Sequence, residues 1–514
     1  MAKTMLRLAS IGAFTASLLS AADWPQWRGP ARNGVAPESP RLAETWAAGG
    51  PTCLWTYAAP SGQQGGLGSL VLADGRVYAY VNQMSVQTGG ITKLTPYQLQ
   101  QVGWSGEKIP DDLGAKVEQA RLSSERAKTK DEALWKWSSD WIASNVPPAQ
   151  KKFENIVRER LMLGRKAAAP DVVAKLDTIK NKEFGSAENL AAWYASNGIP
   201  DAVSKAINNR KVGVDIFLCL DAVTGAEVWK NTRAGGSSDW GACGTPCVAD
   251  GRVYICGSLG DAYCFDAATG AEVWKTNISS SATSASFLVH DGLAIVSARP
   301  LTALDAKTGR IVWTQKEVQS VENSPLVWKA AGTTNLICNT HETVACVDAA
   351  SGRVLWKAPG GMYSTPVIED DWMVLLRGAT NIGLAAYKLS TNAATEAWSV
   401  LISDRGASPL IHEGTVFAVA QGRMACVELE TGNVLWNTKA PSAEISSPIL
   451  VDGKILAAGG SGTLLMVAAS PAEYTLLAKA PLKVAPCTSP CIAGGRLYLR
   501  LDKSIACFDL RAQK

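Results

Sequence analysis

Six polar or aromatic residues stand just ahead of repeated strand segments, where their side chains could gather around one ligand. They are Trp240, Glu322, Asn323, Tyr363, Arg405 and Glu444. The oxygens of Glu322 and Asn323 are hard ligands suited to calcium, and the Arg405 guanidinium could neutralise an anionic group. Trp240 or Tyr363 could stack on a flat ring. The simpler interpretation, which we prefer, is that these are hydrogen-bonded loop residues around a water-filled channel.

Other kinds of catalytic chemistry have little support in this sequence. His290 and His412 occupy equivalent positions beside hairpin turns, and His341 stands alone. The sequence contains no His-Glu-x-x-His, Gly-x-Ser-x-Gly or phosphate-loop pattern. Metalloprotease, hydrolase and kinase activities are therefore not predicted. We assign no catalytic residue and no metal site from the sequence.

The composition is that of a globular protein with a large core. Of the 514 residues, 47% are apolar and 19% are charged, which separates the chain from disordered and fibrous classes. Lysine and arginine number 50 against 46 aspartate and glutamate, a formal charge of +4. This excess is too small to indicate a nucleic-acid partner.

Two short patterns recur along the chain and define a repeating unit. The first is an Asp-Gly pair between alternating apolar runs, as at Asp74-Gly75 and Asp250-Gly251. This pair favours a tight β-hairpin, because the turn needs positive φ at both residues. The second is an aspartate turn with a glycine that leads into a strand ending in tryptophan, as in Leu220 to Trp229. Each unit is therefore predicted to form four antiparallel strands.

The spacing of these units predicts a closed ring. The strand-ending tryptophans, 38 to 45 residues apart, are Trp229, Trp274, Trp313, Trp356, Trp398 and Trp436. This interval is typical of propeller blades, and the first hairpins begin at eight places. We predict an all-β fold: an eight-bladed β-propeller of four-stranded antiparallel blades, with an α-helical insertion in blade 1. The last unit stops after its third strand, and Cys53 to Tyr57 resembles the missing fourth strand. The chain ends are therefore expected to share one blade.

Five of the twelve cysteines occupy the same position in five repeats. They are Cys219, Cys264, Cys346, Cys426 and Cys507. A position filled in this way is best explained as a small apolar packing site. The redox state of the cysteines is not predicted by the sequence.

The N-terminus has the features of a cleavable export signal. Lys3 and Arg7 flank the start of an apolar run, and Ser20-Ala21-Ala22 supplies the small residues for cleavage near Ala22. No stretch is long and apolar enough to span a bilayer, and the first cysteine is Cys53, too far from the cleavage point for a lipid anchor. We expect a periplasmic or secreted monomer with no membrane span and no lipid anchor.

We divide the chain into five segments. These are 1–22, the signal peptide; 23–46, an N-terminal lead segment; 47–97, the ring-closing strand and first half of blade 1; 98–213, a helical insertion; and 214–514, the rest of blade 1 and blades 2 to 8. Helical spacing of apolar residues, as at Leu134, Trp137 and Trp141, identifies the insertion. We expect it on the face that carries the loops between blades, with a solvated basic surface.

These repeats carry a family resemblance. The Asp-Ala-x-Thr-Gly-x-x-x-Trp turns resemble those of the pyrroloquinoline-quinone-like (PQQ-like) eight-bladed propellers, and Asp23 to Pro30 resembles the leader of exported bacterial members. That family includes quinoprotein dehydrogenases and the outer-membrane propeller lipoprotein that supports barrel assembly. The resemblance therefore implies the fold and leaves the function open.

Two functions follow from the resemblance. The first is an exported, non-catalytic scaffold that binds proteins or ligands in the cell envelope, with envelope proteins as partners and no cofactor. The alternative is a PQQ- and calcium-dependent quinoprotein dehydrogenase of a small alcohol or sugar, with the cofactor at Trp240, Glu322, Asn323 and Arg405. The vicinal cysteine pair of the alcohol-oxidising members is absent from the sequence. We prefer the scaffold.

Overall fold

The structure, a computed structural model, describes most of the chain after the predicted signal peptide. The described residues are 23–61, 65–236, 243–280, 282–320, 322–378, 383–402, 404, 406–420, 422–441, 446–459 and 462–513. The signal peptide predicted for 1–22 lies outside them. The chain divides into two compact units, one formed by Met1–Met84 with Gly213–Lys514 and the other by Ser85–Val212.

The first unit is an eight-bladed β-propeller, which confirms the fold class predicted from the sequence. Its strands form eight four-stranded sheets. The strands of the first four blades are β2 (Val71–Ala73), β3 (Arg76–Thr88), β4 (Asn209–Asp221) and β5 (Glu227–Gly235) in blade 1; β6 (Cys247–Ala249), β7 (Arg252–Cys256), β8 (Asp261–Asp266) and β9 (Glu272–Asn277) in blade 2; β10 (Leu288–His290), β11 (Leu293–Ser297), β12 (Leu301–Asp305) and β13 (Ile311–Gln315) in blade 3; and β14 (Leu326–Ala330), β15 (Thr333–Asn339), β16 (Thr343–Asp348) and β17 (Val354–Pro359) in blade 4.

The remaining four blades follow the same pattern, and blade 8 takes its outer strand from the N-terminal part of the chain. Their strands are β18 (Val367–Glu369), β19 (Trp372–Arg377), β20 (Gly383–Leu389) and β21 (Ala394–Val400) in blade 5; β22 (Leu410–His412), β23 (Thr415–Ala420), β24 (Arg423–Glu428) and β25 (Val434–Lys439) in blade 6; β26 (Ile449–Val451), β27 (Lys454–Ala458), β28 (Leu464–Ala468) and β29 (Leu476–Ala480) in blade 7; and β30 (Cys491–Ala493), β31 (Arg496–Arg500), β32 (Ser504–Asp509) and β1 (Thr52–Ala58) in blade 8.

The Asp-Gly pairs form the hairpins that the sequence predicted. Asp74 has φ of 52° and Gly75 has φ of 70°, and Asp250 and Gly251 have φ of 50° and 69°. Two successive residues with positive φ form a turn whose twist matches that of the flanking strands. The pair therefore connects the innermost strand of a blade to its second strand.

Each strand-ending tryptophan docks on the next blade. The indole N–H of Trp274 donates to the carbonyl oxygen of Ala306 at 3.0 Å, and a Cβ added at Gly309 would lie 2.6 Å from the indole ring. The same relationship links Trp229 to Gly270. A glycine is required there because any side chain would meet the ring and because its φ is positive. This contact explains why glycine and tryptophan recur together.

The outer strand of every blade has an irregularity just before that tryptophan position. In blade 1, Cys219 faces Trp229 while Leu220 faces Glu227, so Val228 is an extra residue. A register shift occurs in the corresponding outer pair of all eight sheets. Such bulges bend an edge strand and interrupt its hydrogen-bonding groups, which limits pairing with other chains.

The two ends of the chain close the ring in one blade. Strand β1 pairs antiparallel with β32, with Thr52 opposite Asp509 and Ala58 opposite Ser504. Blade 8 thus has the strand order β1-β32-β31-β30. The shared blade predicted from Cys53 to Tyr57 is confirmed.

The second unit is helical. Its helices are α1 (Pro96–Gln100), α2 (Asp111–Leu122), α3 (Ser124–Lys128), α4 (Asp131–Asn145), α5 (Glu154–Leu163), α6 (Pro170–Asp177), α7 (Ala187–Ser196) and α8 (Asp201–Asn208), with 3₁₀ turns at Pro148–Phe153 and Gly164–Lys166. It begins at Ser85, whereas the sequence pattern placed the insertion at 98–213, because the end of β3 belongs to this unit. Across the described ranges, no helix is long and apolar enough to cross a membrane.

Inside this unit, a carboxylate joins two arginines. Glu118 accepts hydrogen bonds from Arg160 through Oε1 and from Arg121 through Oε2. Both guanidiniums also donate to backbone carbonyl oxygens, including those of Gly103 and Gly164. These bonds lower the pKa of Glu118 despite its partial burial. The cluster fixes α2 against α5 and accounts for part of the basic charge in the insertion.

Candidate functional site

A belt of hydroxyl groups surrounds the centre of the ring, one from each blade. The belt residues, each just ahead of or at the start of an innermost strand, are Ser69, Thr245, Ser286, Ser324, Thr365, Ser408, Ser447 and Ser489. All eight are at least nine-tenths buried. We call this set the hydroxyl belt.

Neighbouring blades are joined through this belt. The backbone N–H of Ser69 donates to the hydroxyl of Thr245 at 2.9 Å, and that of Ser489 donates to Ser69 at 2.9 Å. Four more bonds of this kind, at 2.9 to 3.2 Å, run from Ser286 to Ser324, Ser324 to Thr365, Thr365 to Ser408 and Ser408 to Ser447. Each bond satisfies a buried backbone donor that faces a neighbouring blade rather than a sheet partner.

The sequence places these hydroxyls by a simple local rule. Six belt residues precede a proline, as in Thr245-Pro246 and Ser489-Pro490. Proline disfavours helical conformation in the preceding residue and has no N–H of its own. The belt residue is therefore held extended, with its own N–H available to the next blade.

The lead segment, residues 23–46, crosses one end of the channel. The Trp24 N–H donates to Leu72 O, Trp24 O accepts from the Leu72 N–H, and the Val248 N–H donates to Pro25 O. Further along, Leu450 N donates to Gly34 O and Ala43 N donates to Leu510 O. These bonds reach blades 1, 2, 7 and 8 through residues of their inner or second hairpins.

Two buried arginines of the lead segment extend its contacts to three further blades. Arg28 donates to Pro409 O in blade 6. Arg32 donates to Phe287 O in blade 3 and to Pro325 O in blade 4. Both side chains are almost completely buried, which lowers the pKa of Arg28 to about 9 and that of Arg32 to about 10. Both remain cationic at neutral pH, and the lead segment ties together seven of the eight blades.

Belt and lead segment line a partly open cavity of about 350 Å³, which we call the channel cavity. Trp27 of the lead segment forms part of its lining. The other lining residues are Leu67, Ser69, Cys243, Thr245, Ser284, Ser286, Glu322, Ser324, Tyr363, Gly406, Cys487 and Ser489. Its volume is near the lower end of the range for small-molecule sites.

The structure places three of the six residues proposed from the sequence. Glu322 and Tyr363 line the channel cavity. Asn323 is 1% exposed, and its Nδ2 donates to Met362 O at 3.0 Å, so it supports a neighbouring loop. The other three, Trp240, Arg405 and Glu444, lie outside the described residues, and the convergence of the six stays a prediction.

The sequence suggested that His341 stands alone, but the structure places it beside Glu322 and Tyr363. Its Nε2 lies 3.7 Å from Glu322 Oε2, and its ring meets that of Tyr363 edge-on, with the centroids 5.8 Å apart. Sequence spacing could not show this contact, because His341 lies between the second and third strands of its blade whereas Tyr363 precedes the next blade. Glu322, His341 and Tyr363 form one polar group at the cavity.

A calcium-bound quinone needs several oxygen atoms that are free to coordinate the ion. Asp404 uses Oδ1 to accept the N–H groups of Gly406 and Ala407, both at 2.8 Å. Asn323 donates through Nδ2 to Met362 O, while its buried Oδ1 has no partner among the described residues. In the part of the chain that the structure describes, no three His, Cys, Asp or Glu side chains are grouped to hold a metal. Calcium binding at these residues, which the dehydrogenase hypothesis requires, stays a prediction.

Comparisons with known proteins find a matching family model and similar solved structures. A family model described as outer membrane protein assembly factor BamB matches residues 215–329 and 301–514. BamB from Moraxella catarrhalis is 18% identical, with a TM-score of 0.47 over 58% of this chain and 90% of that chain. The quinohemoprotein alcohol dehydrogenase from Comamonas testosteroni is 12% identical, with a TM-score of 0.42 over 59% of this chain and 73% of that chain. No curated protein gives a significant match.

Proposed function

The chain belongs to the family of the outer membrane protein assembly factor BamB, and we propose that it is a non-catalytic scaffold that binds other proteins in the cell envelope. No cofactor is needed for this role. Export to the periplasm or cell exterior, through the predicted signal peptide, is part of the proposal. We do not extend the proposal to outer-membrane assembly itself.

The observation that carries the proposal is how the centre of the ring is built. Six belt hydroxyls accept N–H groups from the preceding blade, and the lead segment bonds to seven blades. A ring tied in this way holds its loops and outer strands in fixed positions, which favours binding by a preformed surface.

Partner contact is expected at exposed apolar side chains on the outside of the ring. The bulge residues Val273 and Val312 are 42% and 40% exposed, and Leu401 is 82% exposed. Exposed apolar groups of this kind mark protein contacts when several lie together. They are the positions at which a partner can be trapped.

The experiment is site-specific photo-crosslinking in cells that make the full chain. A photoreactive residue replaces Val273, Val312 or Leu401, and the matched control replaces the buried Val253. We expect a discrete adduct with an envelope protein at one or more exposed positions, lost when unlabelled chain is overproduced, and none at Val253. Absence of any competed adduct at all three exposed positions would argue against a scaffold that uses the outside of the ring.

A further inference from the structure

The channel cavity carries more hydrogen-bond donors than the ring itself uses. A serine or threonine hydroxyl that accepts an N–H still has its own O–H to donate. Among the described residues, no belt hydroxyl donates a hydrogen bond to another group, although five belt residues line the cavity. Two of these five residues, Ser286 and Ser489, accept no N–H from a described residue. The cavity therefore presents several O–H donors to whatever it contains.

Buried positive charge lies close to these donors. The guanidinium of Arg28 is 5.8 Å from the centre of the Trp27 ring, which lines the cavity. Arg500, 1% exposed, donates to Tyr80 O and to Gly68 O, beside the cavity residues Leu67 and Ser69. Within the described ranges, neither arginine has a carboxylate partner, and Arg28 Nε and Nη1 and Arg500 Nε have no acceptor. Two buried cations without paired anions make the surrounding potential positive.

Among the described residues, two carboxylates oppose this potential: Glu322, and Asp404, which is 5% exposed and accepts the N–H of the lining residue Gly406. Glu322 lines the cavity two residues ahead of Ser324, next to His341. Its charge disfavours an anion in the cavity and favours a donor group, such as a hydroxyl or an ammonium, at its own side. The cavity is therefore polar in two senses, with donors and cations at the belt and an acceptor at Glu322.

We propose that the channel cavity binds a small molecule through an oxyanion group, a carboxylate or a phosphate, held by the O–H groups of the hydroxyl belt. The volume of about 350 Å³ suits a metabolite-sized molecule rather than a polymer. A divalent cation would be repelled by the buried guanidiniums and would face O–H donors rather than oxygen acceptors. A neutral polyol would gain no electrostatic attraction from the positive potential. This inference does not depend on the scaffold function.

The test is calorimetric titration of the full mature chain in a chloride buffer that contains no oxyanion. The probes are inorganic phosphate and acetate, which separate the two sources of oxyanion, with glycerol and calcium chloride as the neutral and cationic arms. We expect saturable heat at a single site for at least one oxyanion and none for glycerol or calcium. Saturable binding of calcium or glycerol alone, or of none of the four probes, would overturn the proposal.

Variants connect the binding to the cavity. Ser286→Ala removes one cavity O–H without depriving a described N–H of its acceptor, and should weaken oxyanion binding about tenfold. Glu322→Gln removes the opposing charge and should tighten it about threefold or more. Thr415→Val is the control, because its hydroxyl donates to His412 O in a hairpin turn away from the cavity lining. Unchanged affinity in Ser286→Ala, or weaker binding in Glu322→Gln with an unchanged melting temperature, would contradict the assignment.

Discussion

The backbone N–H of Ser489 donates to the hydroxyl oxygen of Ser69 across 2.9 Å, although 420 residues separate them. This bond joins blade 8 to blade 1, the two blades that contain the ends of the ring. It acts beside the pairing of β1 with β32, so the ring is closed both at its outer strand and at its centre. Stability of the propeller should therefore depend on single hydroxyl groups near the channel.

The first prediction concerns that bond. Ser69→Ala leaves the buried Ser489 N–H without its acceptor and should lower the free energy of unfolding of the propeller by about 1–3 kcal/mol. The matched control is Ser286→Ala, in the same belt, whose oxygen accepts no N–H from a described residue. Urea unfolding followed by tryptophan fluorescence measures both. Equal losses in the two variants would show that the inter-blade bond contributes nothing of its own.

The second prediction concerns the lead segment. Gly34 has φ of +80°, and a Cβ there would lie 2.7 Å from both Arg28 Nη2 and Leu410 Cδ2. Gly34→Ala should lower the free energy of unfolding of the propeller by about 2–4 kcal/mol, because it strains the backbone and displaces the buried Arg28 side chain. Gly453→Ala is the control, since it has φ of +65° but open space around its Cβ, and only the strain of about 1–2 kcal/mol applies. If thermal unfolding ranks the two variants equally, the lead segment does not pack tightly on the ring.

The third prediction concerns docking between blades. Trp274→Ala removes a buried indole that packs on Gly309 and donates to Ala306 O. The substitution should lower the free energy of unfolding by about 3–5 kcal/mol. Trp372, which is only partly buried and stacks with Lys388 at 3.9 Å, is the comparison. Trp372→Ala should cost about 1 kcal/mol. Denaturant titration gives both values, and a loss at Trp372 as large as that at Trp274 would contradict the docking role.

The fourth prediction concerns alkaline pH. Burial raises the pKa of the Cys219 and Cys426 thiols to about 11 in each case, whereas an unfolded thiol has a pKa of about 8.5. The native state therefore keeps protons that the unfolded state has lost. This stabilisation is complete below the unfolded pKa and is lost as the pH rises through the folded pKa.

We therefore expect the unfolding free energy to fall between pH 8.5 and 10.5, by on the order of 1 kcal/mol for each such thiol. The double variant Cys219→Ala, Cys426→Ala should show a shallower fall over the same range. Cys53→Ala, at an exposed position, is the control and should leave the slope close to that of the unchanged protein. A slope that the double variant does not alter would mean that other groups govern alkaline unfolding.

The sequence predicted the blades well because their determinants are local. An Asp-Gly pair such as Asp74-Gly75 needs only its own backbone conformation, and the Trp229 position repeats with the blade length. Ring closure was also predictable, because a strand was missing at one end and an unassigned one, Cys53 to Tyr57, was present at the other. These features survive in the chain as patterns of type and spacing.

The centre of the ring could not be derived in the same way. A serine before a proline, as at Ser408-Pro409, is equally typical of an exposed loop, and only the closed ring turns it towards the next blade. The contacts of Arg28 and Arg32 with the blades are with backbone carbonyl groups, which leave no signature in the sequence of the partner. The position of Trp27 in the cavity lining and the contact of His341 with Glu322 also depend on the assembled ring.

The most direct test of the central claim, that this propeller is a non-catalytic scaffold, is a dye-linked oxidation assay. The purified mature chain is incubated with pyrroloquinoline quinone and calcium, and reduction of an artificial electron acceptor is followed with ethanol and with glucose as substrates. We predict no dye reduction above that of quinone and calcium without protein. Reduction that requires the protein, the quinone and calcium, and that is lost in Glu322→Ala, would contradict the scaffold function and establish a dehydrogenase.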